Sequence, residues 1–431
     1  MSVSRALDAT PVTFRGWAAW RLANEFVHLI AVPEIGGRVM AYDLGEHRFL
    51  FVDPDLAGKL FSADENQGDG SLAAWKNYGG DKTWPAPQGW DNDEQWHGPP
   101  DPILDTGRYT VDEVYARTDQ AAIAMTSPPD PRTGVQITRR FTLVPGSSRV
   151  QVNLAFRNVS GRRIRWSIWD VVQLNAGRTL PDGSRTHDPS CSVTAPVNSN
   201  SRFARGFNVM FGADDNPQWQ VVDGLFRAEY RWAIGKVGLD SRAGWIAFHQ
   251  ASQQAAFVEQ FAYVPGAEYP DDGATVECWT VGAGKVANLD YAESGIFLME
   301  TEVLGPLTDI EPGAAATFAL EWGACRCAGA VVDVEPAGCA AEKLVARMAG
   351  DTVHLTGNFG VFDAGQLIVA WLDAGGKELA STATQQVDPL SALDLDMFLT
   401  PPSAATHVEL RVRAEADGSV RRLAKARLRH D

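Results

Sequence analysis

The residues best equipped for chemistry cluster between 75 and 98. The run is Trp75-Lys76-Asn77-Tyr78-Gly79-Gly80-Asp81-Lys82-Thr83-Trp84, then Pro85-Ala86-Pro87, Gln88, Gly89 and Trp90, then Asp91 to His97. Four tryptophans in these 24 residues, amid Gly, Pro and polar side chains, do not read as a β-core. A Trp in a loop presents a flat apolar ring beside an N–H donor. The complementary ligand has an apolar C–H face and a rim of hydroxyls, which describes a sugar. Asn77, Asp81, Lys82, Trp84, Gln88 and Trp90 are therefore candidate binding residues. The Gly79-Gly80 pair permits a positive φ or a close backbone approach. A competing reading makes the loop structural, its indoles plugging the end of a sandwich, and the two readings can coexist.

A second signal is charge on strand faces that otherwise point inward. Asp170 interrupts Ile168 and Val172, Arg139 interrupts Ile137 and Phe141, and Glu300 and Glu302 share the face of Leu298 and Leu304. An unpaired charge on an apolar face costs several kcal/mol, so each position needs a reason. Either the charges satisfy one another internally, or the face lines a polar cleft where a carboxylate is tuned for acid–base work. Glu300 is assigned to a cleft, with Arg139 as its expected counter-charge, and Glu302 fits either explanation. Of the eight histidines, His97 and His187 lie in loops that can overhang a cleft. No pair has metal-ligand spacing, and the acidic runs Asp64-Glu65-Asn66 with Asp69 and Asp91 to Glu94 read as solvated loops rather than calcium sites. The five scattered cysteines form no disulfide framework, and Cys325, Cys327 and Cys339 lack a fourth ligand for zinc. No metal and no cofactor is expected.

The elements that carry these residues alternate with period two. Val135 to Leu143, Val150 to Phe156, Ile164 to Leu174 and Ile296 to Leu304 each place apolar residues at every second position, as half-buried strands do. Helical periodicity is scarcely present, and without a βαβ rhythm the strands imply large antiparallel sheets. No Gly-x-Gly-x-x-Gly, P-loop or Gly-x-Ser-x-Gly elbow is found, so nucleotide-dependent and serine-hydrolase chemistry has no support. With 431 residues, two domains are expected: a large one over 1–328 and a small immunoglobulin-like β-sandwich over 342–431, separated by the Ala/Gly stretch 328–341. The net charge of −16 disfavours nucleic acid and anionic membranes as partners. The N-terminus shows no apolar signal region, so a cytoplasmic location and a small-molecule or oligosaccharide ligand are expected.

Several segments carry a resemblance. Asn24 to Asp43, with Gly36-Gly37-Arg38 between two strands, resembles the first hairpin of the galactose-mutarotase-like superfold, the β-supersandwich of the aldose 1-epimerases. Gly79-Gly80 through Trp84-Pro85-Ala86-Pro87-Gln88 resembles a motif of an uncharacterised branch, as do Tyr269 to Thr280, Phe297 to Leu307 and Ile310 to Gly313. The similarity spans about residues 13–325. It implies a sugar isomerase in which Glu300 is the base on the anomeric hydroxyl. The family's acid histidine is replaced here by Trp169-Asp170, and a second histidine by Tyr78. His97, His187, Lys82 or a protonated Asp170 would then be the acid. Two alternatives stand beside this. One is a uronate lyase in which Arg38, Arg139 or Lys82 neutralises the carboxylate and Tyr78 or a histidine takes the C5 proton. The other is a non-catalytic sugar-binding protein.

Overall fold

The computed structural model describes residues 7–89, 95–286, 289–291 and 294–429, with only the backbone at 285–286 and 289–290. The chain is nearly all β, arranged in large antiparallel sheets. A 12-stranded sheet runs from Asp8–Phe14 through Arg38–Leu44, Asp81–Ala86, Ile164–Asn175, Leu298–Leu304, Val276–Thr280 and Gly235–Leu239 to Asn208–Gly212. A 10-stranded sheet, with Val135–Leu143 and Ala255–Phe261 among its strands, packs against it. One continuous apolar cluster joins the two, with Tyr42, Phe141, Trp166, Phe257 and Trp322 in it. The alternation that predicted the strands has its cause here, since every second residue of Val135–Leu143 faces this core.

Two connections matter for the site. Gly79 and Gly80 both have positive φ, of 93° and 73°. A Cβ on Gly79 would lie 2.3 Å from Phe51 O, and one on Gly80 would lie 2.5 Å from Val39 O. Only glycine lets the chain pass this close before it enters Asp81–Ala86. The C-terminal residues form a separate eight-stranded sheet around its own core of Leu355, Phe359, Trp371, Leu410 and Val412. The stretch 328–341 carries the strand Asp333–Glu335 and the start of Gly338–Ala349. No helix among the described residues is long and apolar enough to cross a membrane.

Charge also crosses the main sandwich. Arg139, fully buried on the 10-stranded sheet, forms an ion pair with Asp81 on the other sheet and lies 4.0 Å from Asp170. It donates to Gly37 O at 2.7 Å as well. Removing one member of such a pair strands a buried charge. Arg139→Met is therefore expected to lower unfolding stability by about 3–5 kcal/mol. Urea denaturation measures this, and a loss below about 1 kcal/mol would show that the pair is not holding the sheets together.

Candidate functional site

Strand alternation divides the 12-stranded sheet into two chemically different faces. In Leu298–Leu304, Glu300 and Glu302 point one way and Thr301 and Val303 the other. The cross-strand register extends that division: Glu300 lies beside Gln173 and Trp279, Glu302 beside Glu277, Trp169 beside Trp84, and Lys236 beside Trp279. The inner face, with Asp81, Thr83 and Asp170, rests on the other sheet. The outer face opens into a cavity of about 370 Å³. Trp84, Trp169, Gln173, Lys236, Trp279 and Glu300 line it from the strands. Trp75, Asn77, Gln88, Asp271 and Tyr291 line it from the connections.

Glu300 accepts a hydrogen bond from Gln173 Nε2 at 2.6 Å and from Lys82 Nζ at 3.3 Å. The Lys82 ammonium lies 4.8 Å from the centre of the Trp84 ring. Burial pulls its pKa below the ordinary lysine value, with Glu300 opposing. Trp75 and Trp84 both donate their indole N–H to Asp105, at 2.7 and 3.1 Å. Asp105 is in turn ion-paired with the buried Arg38, which also donates to Gly79 O at 2.9 Å. These indoles therefore offer the cavity their apolar surfaces, not the N–H donors expected from sequence. Trp169 Nε1 and Gln173 Oε1 are buried without a hydrogen-bond partner.

A second charged group borders the same cavity. Lys236 Nζ lies 2.7 Å from Glu277, 2.9 Å from Glu302 and 4.3 Å from the centre of the Trp169 ring. Asp271 is a third carboxylate near this single ammonium. Burial pushes the Glu277 carboxyl up to about 7, Lys236 opposing, and drives Glu302 and Asp271 upward in the same way. Burial alone would lower Lys236, but Glu277 and Glu302 outweigh it and hold the ammonium charged. Asp271 and Asp272 both adopt left-handed backbone, at φ 51° and 59°, a strain that clusters at functional sites. The cavity thus has a carboxylate held by two donors and, at its border, a carboxyl cluster whose proton affinity burial raises, the kind of pairing used for a base and an acid.

Of the residues anticipated from sequence, Asn77, Trp84, Gln88, Trp169 and Glu300 line the cavity, while Lys82 and Glu302 contact lining residues. Arg139 is not the counter-charge of Glu300. Its strand belongs to the opposite sheet, and Lys82 fills that place. Burial, with Asp81 beside it, raises the Asp170 carboxyl well above the carboxylate range, yet Asp170 sits on the inner face with Asp81 and Arg139, away from Glu300. Arg38 is spent on Asp105. Tyr78 packs edge-on against Trp17 at 5.9 Å, and burial raises its pKa to about 12. His97 lies 2.6 Å from Gly98 O and His187 stacks on Trp232, and neither lines the cavity. Trp96 is a plug, fully buried with its N–H on Asp101 at 2.7 Å. Trp90 lies outside the described residues. Sequence reasoning missed Gln173, Lys236, Asp271, Trp279 and Tyr291. Gln173 had a readable signal, since it shares the parity of Trp169 on a face that also carries Arg165, Ser167 and Asn175.

Residues 18–324 match the model of a family described as a domain of unknown function, DUF4380. Among curated proteins, none matches. Several solved structures are similar. The Slr1438 protein from Synechocystis sp. PCC 6803 is 12% identical over 76% of this chain and 99% of its own, with a TM-score of 0.47. A galactose mutarotase-like protein from Clostridium acetobutylicum is 11% identical over 74% and 99%, with a TM-score of 0.46. Another from Lactobacillus casei is 10% identical over 71% and 99%, with a TM-score of 0.43.

Glu277 binds its proton more tightly in the folded chain, at about 7, than an ordinary glutamate at 4.5. A pKa raised by folding adds stability at low pH, and that stability is lost as pH rises through the folded value. The thermal midpoint is expected to fall between about pH 5 and pH 8, and Glu277→Gln to flatten that decline. Calorimetry across this range checks it, and an unchanged slope in the variant contradicts the assignment.

Proposed function

Because the chain belongs to the family described as a domain of unknown function, DUF4380, its function has to be read from the site, and we propose that the cavity binds a sugar ring and that Glu300 acts as general base in an aldose 1-epimerase-like isomerisation. The observation that carries this reading is Glu300, held by Lys82 and Gln173 in a cavity lined by Trp75, Trp84, Trp169 and Trp279. Indole surfaces suit the C–H face of a pyranose. Gln173 Oε1, Trp169 Nε1 and Asn77 suit its hydroxyls.

In this reading Glu300 takes the proton of the anomeric hydroxyl as the bond between C1 and the ring oxygen breaks. The ring oxygen receives a proton from Asp271, the member of the carboxyl cluster that lines the cavity. The open aldehyde rotates about C1–C2 and recloses by the reverse transfers, giving the other anomer. No histidine is required. A uronate lyase is supported less well, because it needs a free cation for the sugar carboxylate. Arg139 is engaged between the sheets and Arg38 by Asp105, and Lys82 and Lys236 each face a carboxylate already.

Proton NMR of freshly dissolved aldoses with the purified protein tests the proposal. Faster exchange between α and β anomeric signals is expected, reduced about 10²–10⁴-fold by Glu300→Gln. New vinyl protons from a uronate oligosaccharide would replace this reading with a lyase. Broadening of a sugar's signals without anomeric exchange would replace it with a binding protein.

A further inference from the structure

Among the described residues, much of one face of the C-terminal sheet is left exposed. The strands Val420–Arg429, Gly338–Ala349, Thr352–Val361 and Leu393–Leu399 lie side by side in that order. Leu428, Ala346, Leu355 and Leu395 turn into the sheet's own core. The residues between them therefore point outward. Register sets Arg429, Arg347, His354 and Phe398 in a single row across all four strands. Thr356 and Asp396 share a neighbouring row, with Asn358 and Asp394 beyond it.

This face is electrically divided. Its first two strands expose Arg427, Arg429 and Arg347, and its last strand exposes Asp394 and Asp396. Arg347 and Arg429 stand directly opposite each other, a like-charge pairing that destabilises a sheet. Among the described residues, none of these three arginines has an ion-pair partner. The adjacent Arg411, Arg421, Arg422 and Lys425 all have one. Uncompensated positive charge in a chain of net charge −16 calls for an external carboxylate. Beside the aspartates, Phe398 is 59% exposed, its ring stacked flat on His354 at 4.2 Å, and His354 Nε2 lies 2.6 Å from Asp396. An exposed aromatic anchor flanked by charge is the composition of an interface centre.

We propose that this face binds a second copy of the same chain. Consider a two-fold axis lying along the strands, between Gly338–Ala349 and Thr352–Val361. It turns the arginine half of one copy onto the aspartate half of the other. Because the axis keeps each residue at its own level along the strand, Arg429 of one copy meets Phe398 of the partner subunit, a cation over a ring. Arg427, one strand-pair back, meets Asp396 of the partner subunit. The contact is made twice, as a closed two-fold interface requires. It buries Phe398 and gives Arg427 and Arg429 partners across the interface.

Sedimentation equilibrium at near-physiological salt tests this, using two charge-reversed variants of the full chain. One carries Arg427→Glu and Arg429→Glu, the other Asp394→Arg and Asp396→Arg. The unmodified protein is expected to be dimeric at about 100 μM, each variant alone to be monomeric, and an equimolar mixture of the two to regain dimers. Circular dichroism spectra matching the unmodified protein keep misfolding apart from lost association. A monomeric unmodified protein overturns the proposal, as does a variant that stays dimeric alone or a mixture of folded variants that fails to associate. If the monomer instead binds poly-glutamate, the face is an acceptor for an acidic chain and the self-association is refuted.

Discussion

Arg139 crosses from one sheet of the sandwich to Asp81 and Asp170 on the other, and the working face of the molecule is defined by that crossing. Asp81 and Asp170 sit on neighbouring strands with their side chains inward. Fixing those residues inward obliges the residues next to each of them in sequence to point outward. Lys82, Trp84 and Trp169 therefore reach the cavity side because Asp81, Thr83 and Asp170 are committed to the core. Leu298–Leu304, bonded to Ile164–Asn175, inherits the same division and turns Glu300 outward. A slip of one residue in either pairing would exchange the faces and bury Glu300.

A second charge pair plays the matching part above the sheet. Asp105, neutralised by Arg38, gathers the indole N–H groups of Trp75 and Trp84. The rings are thereby fixed in orientation before any ligand arrives, which reduces the entropy lost on binding. Neither arginine touches the cavity. Among the described residues, the cationic groups that approach it, Lys82 and Lys236, are matched by carboxylates.

The architecture was largely legible in the sequence. Val135–Leu143, Ile164–Asn175 and Leu298–Leu304 announced themselves by alternation, and Glu300 stood out as a charge on an apolar face. What alternation does not convey is which sheet a strand joins. Arg139 and Glu300 look alike in sequence, each a charge among aliphatic neighbours. One faces a dry interior and the other a cavity, and contacts far along the chain, such as Arg139 with Asp81 and Glu300 with Gln173, separate the two. The histidines posed the same difficulty, because the residues around them in sequence do not show which way a side chain turns, and His187 lies on a short strand, Arg185–His187, rather than in the expected loop. Lys236 and Asp271 were hidden for another reason. Each is unremarkable alone, and their chemistry arises from being brought beside Glu277 and Glu302.

The outer face of the sheet is proposed to hold a sugar with its anomeric carbon at Glu300. A crystal structure of the Glu300→Gln variant soaked with an aldose tests it most directly. The pyranose ring is expected to lie against an indole surface, its anomeric oxygen about 2.6–3.2 Å from the side chain at position 300. A sugar seated elsewhere, or in the cavity with its anomeric carbon turned away from that side chain, would contradict it.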